Sequence, residues 1–259
     1  MNYGLYLSAS GVLTNLYRQD VFANNLANVE TIGFKPDVAS MRQRRPEAIE
    51  DRMSSDLSHR LLDHLGGGAL AGQQRIDFQP GPLRVTNDAH DVALTDRNSF
   101  FVVRHTDPET NQISIRLTRD GRMSRDAAGY LVLPSGHRVL DNRDRPIEIN
   151  ASQPFRIEAD AHIVQGDDRI ARLQVAQVAD PMVLRKQGQN LFAFEGADPR
   201  QIVEDPVVHP GALEASAVDP IHALMRLIAA SKAAMGNAQM IRYHDLLMDR
   251  AVNQLGRVA

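Results

Sequence analysis

Both ends of the chain carry apolar residues at alternating steps of three and four, and this spacing constrains the fold more than any other feature. Near the N-terminus Leu5, Ala9, Val12, Leu16, Ala23 and Leu26 follow it, with Gln19 as the interruption. The pattern predicts an amphipathic or coiled-coil helix over about 3–28. Near the C-terminus Ile221, Leu224, Ile228, Met235, Ala238, Ile241, Met248, Val252 and Leu255 form one longer stripe. Asp219 and Pro220 give that helix its start, a carboxylate to cap free N–H groups and a proline whose missing N–H is not needed in the first turn. Helices this long and one-sided need a partner for the apolar face. The nearest partner for each is the other, which would bring the chain ends together, and further copies of the chain would supply more.

Between the ends, from about 76 to 212, the sequence changes to short β-type runs such as "SFFVVRH", "QISIRLTR", "GYLVLP" and "RLQVAQVA", bounded by turns such as "PGP", "DG" and "PSG". That is the pattern of a mainly-β domain, with no βαβ alternation. Residues 36–75 run from mixed charges into "LGGGALAG" and read as a mobile connector. Within it Ile49, Met53, Leu57 and Leu61 recur every fourth residue, which suggests helix in part of 46–64. The expected class is α+β: a terminal helical region made of 1–35 and 211–259, a connector over 36–75, and an outer β domain over 76–210.

Composition excludes more than it assigns. A net charge of -3 over 259 residues argues against a nucleic-acid partner, and the lack of tryptophan leaves little with which to stack bases. Cysteine is absent, which removes disulfide and thiolate chemistry. The N-terminus lacks the basic, apolar and small-residue order of a cleaved export signal, and no apolar run is long enough to span a membrane.

A search for chemistry gives bland answers. The nine histidines show no ligand-like spacing. Asp167 and Asp168 sit in "QGDD", a hairpin turn rather than a catalytic pair. "LGGGALAG" has neither the lysine nor the spacing of a phosphate loop, and "RQRR" at 42–45 is offset by Glu47, Glu50 and Asp51. No catalytic, cofactor-binding or metal-ligating residue is expected, which points to a structural protein and not to an enzyme.

One stretch remains unexplained by such readings. In "ANNLANVETIGFK" (23–35) Leu26 completes the helical seam, while Asn24, Asn25, Asn28 and Thr31 place polar side chains where helical backbone groups lose their partners. Gly33 permits a reversal there, followed by an exposed-looking Phe34 and Lys35. This stretch resembles the N-terminal signature of the bacterial flagellar rod and hook proteins. In the right order, "GPLRVTNDAHDVALTDRNSFFVV" (81–103), "TRDGRMSRDAAGYLVLPSGHRVL" (118–140) and "DPMVLRKQGQNLFAF" (180–194) resemble that family's β-domain motifs. The segment from "GALEASAVD" onward resembles its closing helix.

The resemblance implies a basal-body rod subunit that crosses the periplasm. It would be exported through the flagellar type III apparatus without a cleaved signal and would assemble with copies of itself and with neighbouring rod and hook proteins. The terminal helices would form an inner coiled-coil tube, with the β domain outside. On the resemblance, the first stretch becomes an assembly joint with Phe34 seated against the helical layer. Its implied partners in assembly are Leu213, Glu214, Ser216 and Val218 at the entry to the closing helix, and Ile228, Met235, Asn237 and Ile241 along it. Asn25→Ala and Asn28→Ala are then expected to spare folding and impair assembly. The chain departs from the family pattern where "SNVD" reads Ser216, Ala217, Val218, Asp219, and where the usual Arg-x-Tyr-Glu-x-Asn reads Lys232, Ala234, Met235 and Asn237. Its length favours a rod over a hook subunit, the proximal type with a β domain before the distal type. A peptidoglycan hydrolase and a soluble export cargo are the rival readings from other classes.

Overall fold

The two apolar stripes become two long helices, α1 over Tyr3–Ala27 and α2 over Pro220–Arg250, the latter running into a π-helical turn at Ala251–Leu255. A computed structural model of the chain describes residues 3–45, 66–107, 111–194 and 196–255. The four-residue repeat at 46–64, together with His59 and His64, lies outside them. Helices and strands together make the class α+β. By their contacts the described residues form two units, one of Met1–Ala27, Asp37–Arg75 and Asp219–Ala259, the other of Asn28–Pro36 and Ile76–Val218.

In the first unit α1 and α2 lie side by side. Gly4 stands against the His244 ring and Gly11 against the Asn237 amide, so seven steps forward along α1 are seven steps back along α2. The helices are therefore antiparallel. A Cβ at either glycine would come within 2.7 Å of its neighbour, which shows how closely the helices approach. The buried positions of α2 are Ala223, Ala230 and Ala234, and the last two share a three-four row with Asn237, Ile241 and His244.

The large residues expected to cover α1 are elsewhere: Ile221 is 69% exposed, Ile228 47%, Met235 59% and Val252 72%. This corrects in part the expectation that the apolar stripe of α2 would be covered by the other terminal helix: these four are left out, while Ile241 lies in the row that meets α1. A contact set by glycine and alanine has no room for the four. The start of α2 is as expected, with the Asp219 carboxylate accepting from the N–H groups of Ile221 (2.9 Å) and His222 (3.0 Å). Those bonds, the His222 N–H foremost, hold its carboxyl below the usual carboxylate range.

The glycine-rich stretch is also more ordered than a hinge. Ala69–Ala71 pairs antiparallel with Met41–Gln43. The Thr14 hydroxyl of α1 donates to the Ala69 carbonyl at 3.0 Å, and the Tyr17 hydroxyl to that of Gly72 at 3.3 Å. Backbone groups that water would otherwise satisfy find a ladder and a helix instead.

The second unit is built on strand Ser99–Thr106, which pairs with Ile113–Thr118 on one side and with Arg138–Val139 and Val175–Val178 on the other. It lies within a nine-stranded sheet whose adjoining strands all run antiparallel. "FFVV" is apolar on both faces because both faces are covered. Phe101 and Val103 enter one core with Val92, Leu131 and Ile163. Phe100 and Val102 enter another with Phe78, Leu117 and Phe192. The Phe78 ring lies 5.7 Å from Phe100 and 5.5 Å from Phe192 between centroids, and each such ring removed from water contributes about 1.5–3 kcal/mol. A separate three-stranded sheet of Phe155–Ile157, His162–Gln165 and Asp168–Arg172 turns at Gly166 and Asp167, the hairpin read from "QGDD".

Candidate functional site

Near the end of α1 the asparagines divide their work. Asn25 is buried and clamps one backbone residue from both sides: its Nδ2 donates to the Asp37 carbonyl and its Oδ1 accepts from the Asp37 N–H, each at 2.8 Å. Asn24 points outward and Leu26 is half-buried. The polar atoms of Asn25 thus hold the chain that returns to α1. Asn25→Ala is expected to lower the stability of the helical unit by about 1–3 kcal/mol, since two backbone groups lose their partners. Hydrogen exchange of the Asp37 amide would register it, and protection equal to that of the native chain would refute it. The clamp replaces the sequence-based expectation that this substitution leaves folding intact.

Beyond α1, Asn28 and Thr31 shape the turn. The Thr31 hydroxyl donates to Asn28 Oδ1 at 3.1 Å and the Thr31 N–H to the Asn28 carbonyl at 3.2 Å. The Phe34 N–H then donates to the Thr31 carbonyl. Gly33 follows at φ +67, and a Cβ there would meet the Arg119 carbonyl oxygen at 2.5 Å. Conformation and space both demand glycine.

Phe34 and Lys35 are buried, at 6% and 0% exposure, and not exposed as their place after a helix suggested. Lys186 lies 3.9 Å over the Phe34 ring. Lys35 lies in a sealed ionic cluster. Its Nζ donates to Glu214 Oε1 and, at 2.9 Å, to the Gln79 carbonyl. Glu214 Oε1 also accepts from the Gly81 N–H at 2.8 Å, and Oε2 accepts from Arg119 at 3.2 Å. The Arg119 guanidinium donates further to the carbonyls of Asp96 and Arg97 and lies 5.0 Å from the Phe100 ring centroid. Backbone bonds tie the same place: Gly33 N–H to the Glu214 carbonyl at 2.7 Å, and Ala217 N–H to that of Phe34 at 3.1 Å.

Two cations therefore share one carboxylate away from water. Burial lowers the Lys35 pKa from 10.5 despite the attraction of Glu214, and Arg119 adds to the lowering. Burial likewise lowers Arg119, against Glu214. The cluster clamps three distant stretches, 33–35, 79–81 and 214–217, to the turn after strand Ile113–Thr118.

Of the residues expected from sequence, Gly33, Phe34, Leu213, Glu214 and Ser216 are buried together in this unit. Val218 follows, its N–H donating to the Ser216 hydroxyl at 3.3 Å. Asn237 and Ile241 share the row of α2 that faces α1, whereas Ile228 and Met235 lie outside it. Sequence reasoning missed Lys35, Arg119, Gln79, Gly81 and Asn190, whose Nδ2 donates to the Ile32 carbonyl at 2.6 Å. Arg119 had a signal, its place in "TRDG" within a recognised motif. A surface-looking charge beside a turn gives no hint of burial.

A second feature is the uncovered side of the helices. Leu224, Met225, Ile228 and Met235 of α2 are 47–63% exposed, and Tyr6, Leu13 and Leu16 of α1 are 44–69% exposed. Among the described residues there is no group of three or more metal-ligating side chains, and no helix is long and apolar enough to cross a membrane.

Residues 5–35 match the family described as flagella basal body rod protein, a span that takes in α1 from its third residue, the asparagine turn and the buried lysine. The whole chain is similar to the flagellar basal-body rod protein FlgF of Caulobacter vibrioides, 30% identical over 259 residues and 100% of both chains. It is 27% identical to the flagellar basal-body rod protein FlgG of Borreliella burgdorferi, over 98% of each chain. The flagellar hook-basal body complex protein FlhO of Bacillus subtilis is 23% identical over 98% of this chain and 99% of its own. A shared signature on the first helix and end-to-end likeness agree, and the chain belongs to the flagellar basal-body rod protein family, a structural component of the basal body.

Proposed function

We propose that this protein self-assembles through its terminal helices into the axial drive shaft of the basal body and transmits torque to the hook. The observation that carries the reading is the exposed three-four stripe of Ile221, Leu224, Ile228 and Met235, which the intramolecular helix pair leaves uncovered. Apolar surface of this kind marks an interface, and its spacing suits coiled-coil packing against helices of neighbouring copies. Contacts that repeat head to tail without closing produce a helical filament. The β unit, tied together by the cluster around Lys35, would fix the subunit angle. Export as an unfolded chain through the flagellar type III apparatus fits the absence of cysteine, since no disulfide has to form before or after passage.

The proximal rod type with a β domain is the member proposed, supported by 30% identity to a flagellar basal-body rod protein over 259 residues. Deletion of 216–259 tests the assembly reading. The protein is expected to disappear from purified basal bodies and cells to lose motility, while full incorporation of the truncated chain would overturn the proposal. Labelling the intact protein for cryo-microscopy of basal bodies then fixes its place along the rod.

A further inference from the structure

Strand pairing sets Arg104 directly opposite Arg138. Like charges facing each other across paired strands weaken a sheet, so the pair calls for a compensating negative group. Elsewhere in this unit the chain supplies one: Arg122, Arg145, Arg156, Arg169, Arg172 and Arg200 each lie 2.7–3.7 Å from a carboxylate oxygen. Here it does not. Among the described residues the Arg104 side chain has no hydrogen bond or ion pair, and Arg138 has only the Tyr130 ring, 4.0 Å from its guanidinium carbon.

The two arginines, with Thr106, Ile113, Ser135, Gly136 and His137, line a cleft of about 430 Å3, and among the described residues none of its walls is acidic. Arg104 and Arg138 are both half-buried at its sides, where water screens their charge less than on an open surface. Stacking on Tyr130 holds one guanidinium in place before anything binds, which reduces the ordering cost of binding. The hydroxyls of Thr106 and Ser135 make no hydrogen bond among the described residues and remain available as donors. His137 is steadied by a 2.8 Å contact between its Nε2 and Gln189 Oε1.

We propose that this cleft is an oxyanion site that takes a carboxylate or phosphate group between Arg104 and Arg138. Guanidinium forks match both chemistries, and the cleft is roomy enough for the group and part of its carrier. The site is independent of the helices and of the assembly reading.

Calorimetric titration of the full-length protein with sodium phosphate, and separately with sodium citrate, at constant ionic strength set by sodium chloride, tests it. A saturable one-to-one isotherm is expected in at least one arm, weakened about tenfold or more by Arg104→Gln and by Arg138→Gln, the loss expected for one charge-assisted hydrogen bond. Arg104→Gln should not lose thermal stability, because it relieves the facing charges. Saturation by phosphate alone assigns a phosphate-bearing ligand, and saturation by citrate alone a carboxylate-bearing one. No saturation above the chloride background, or saturation unchanged in both variants, overturns the site.

Discussion

Glu214→Gln is expected to destabilise the β unit by about 3–5 kcal/mol, the range for breaking a buried ion pair by removing one partner. The isosteric amide leaves Lys35 and Arg119 facing each other at 0% side-chain exposure without a counter-charge. Lys35→Met acts in the opposite sense on the charge balance, since Glu214 then faces Arg119 alone as a one-to-one pair. Its effect should be much smaller, because the removed ammonium was itself costly to bury. The ordering is the sharp part of the prediction. Urea unfolding followed by circular dichroism measures it, and equal losses in the two variants would show that charge count is not what holds the cluster.

The sign of the pH dependence follows from the same balance. Burial lowers the Lys35 pKa below 10.5 in the folded state, so between the folded value and 10.5 the unfolded chain binds more protons. Stability then rises with pH across that window. Lys35→Met removes this contribution, and a native chain that shows the same slope as the variant would count against the assignment.

How legible each part was depends on whether its reason was local. The two long helices, the Asp219 cap and the β run around "FFVV" are written in neighbouring residues, and they appear as expected. Which face a stripe presents to which helix is not local. On α2 the alanines at 223, 230 and 234 were as visible as the isoleucines, but only the close approach at Gly4 and Gly11 decides that the small residues go inside. Lys35 shows the same limit more severely. Its partners lie 44 residues away at Gln79 and 179 away at Glu214, and nothing nearby in the sequence announces that a lysine after a turn will be enclosed. Glu214 and Gly33 were singled out through the family motif, yet the motif did not state that one bonds to the other.

The exposed side of α2 gives the prediction with the largest effect on function. Ile228 and Met235 are seven residues apart, two turns of helix, and are 47% and 59% exposed. Substituting both by glutamate should leave the isolated protein within about 0.5 kcal/mol of its native stability, because surface positions outside a packed contact tolerate change. Assembly is different. Each large side chain fully buried against a neighbour contributes about 1.5–3 kcal/mol before ordering costs, and a buried, unpaired carboxylate reverses the sign of that contribution. Every interface along a filament repeats the defect, so the loss is expected to abolish incorporation into basal bodies and, with it, motility. Ala230→Leu is the contrasting variant: at 0% exposure, in the row that meets α1, it should disturb the monomer first. A double glutamate variant that assembled and swam normally would separate the exposed stripe from the rod interface and leave the α1 face, with Tyr6 and Leu13, as the surface through which copies meet.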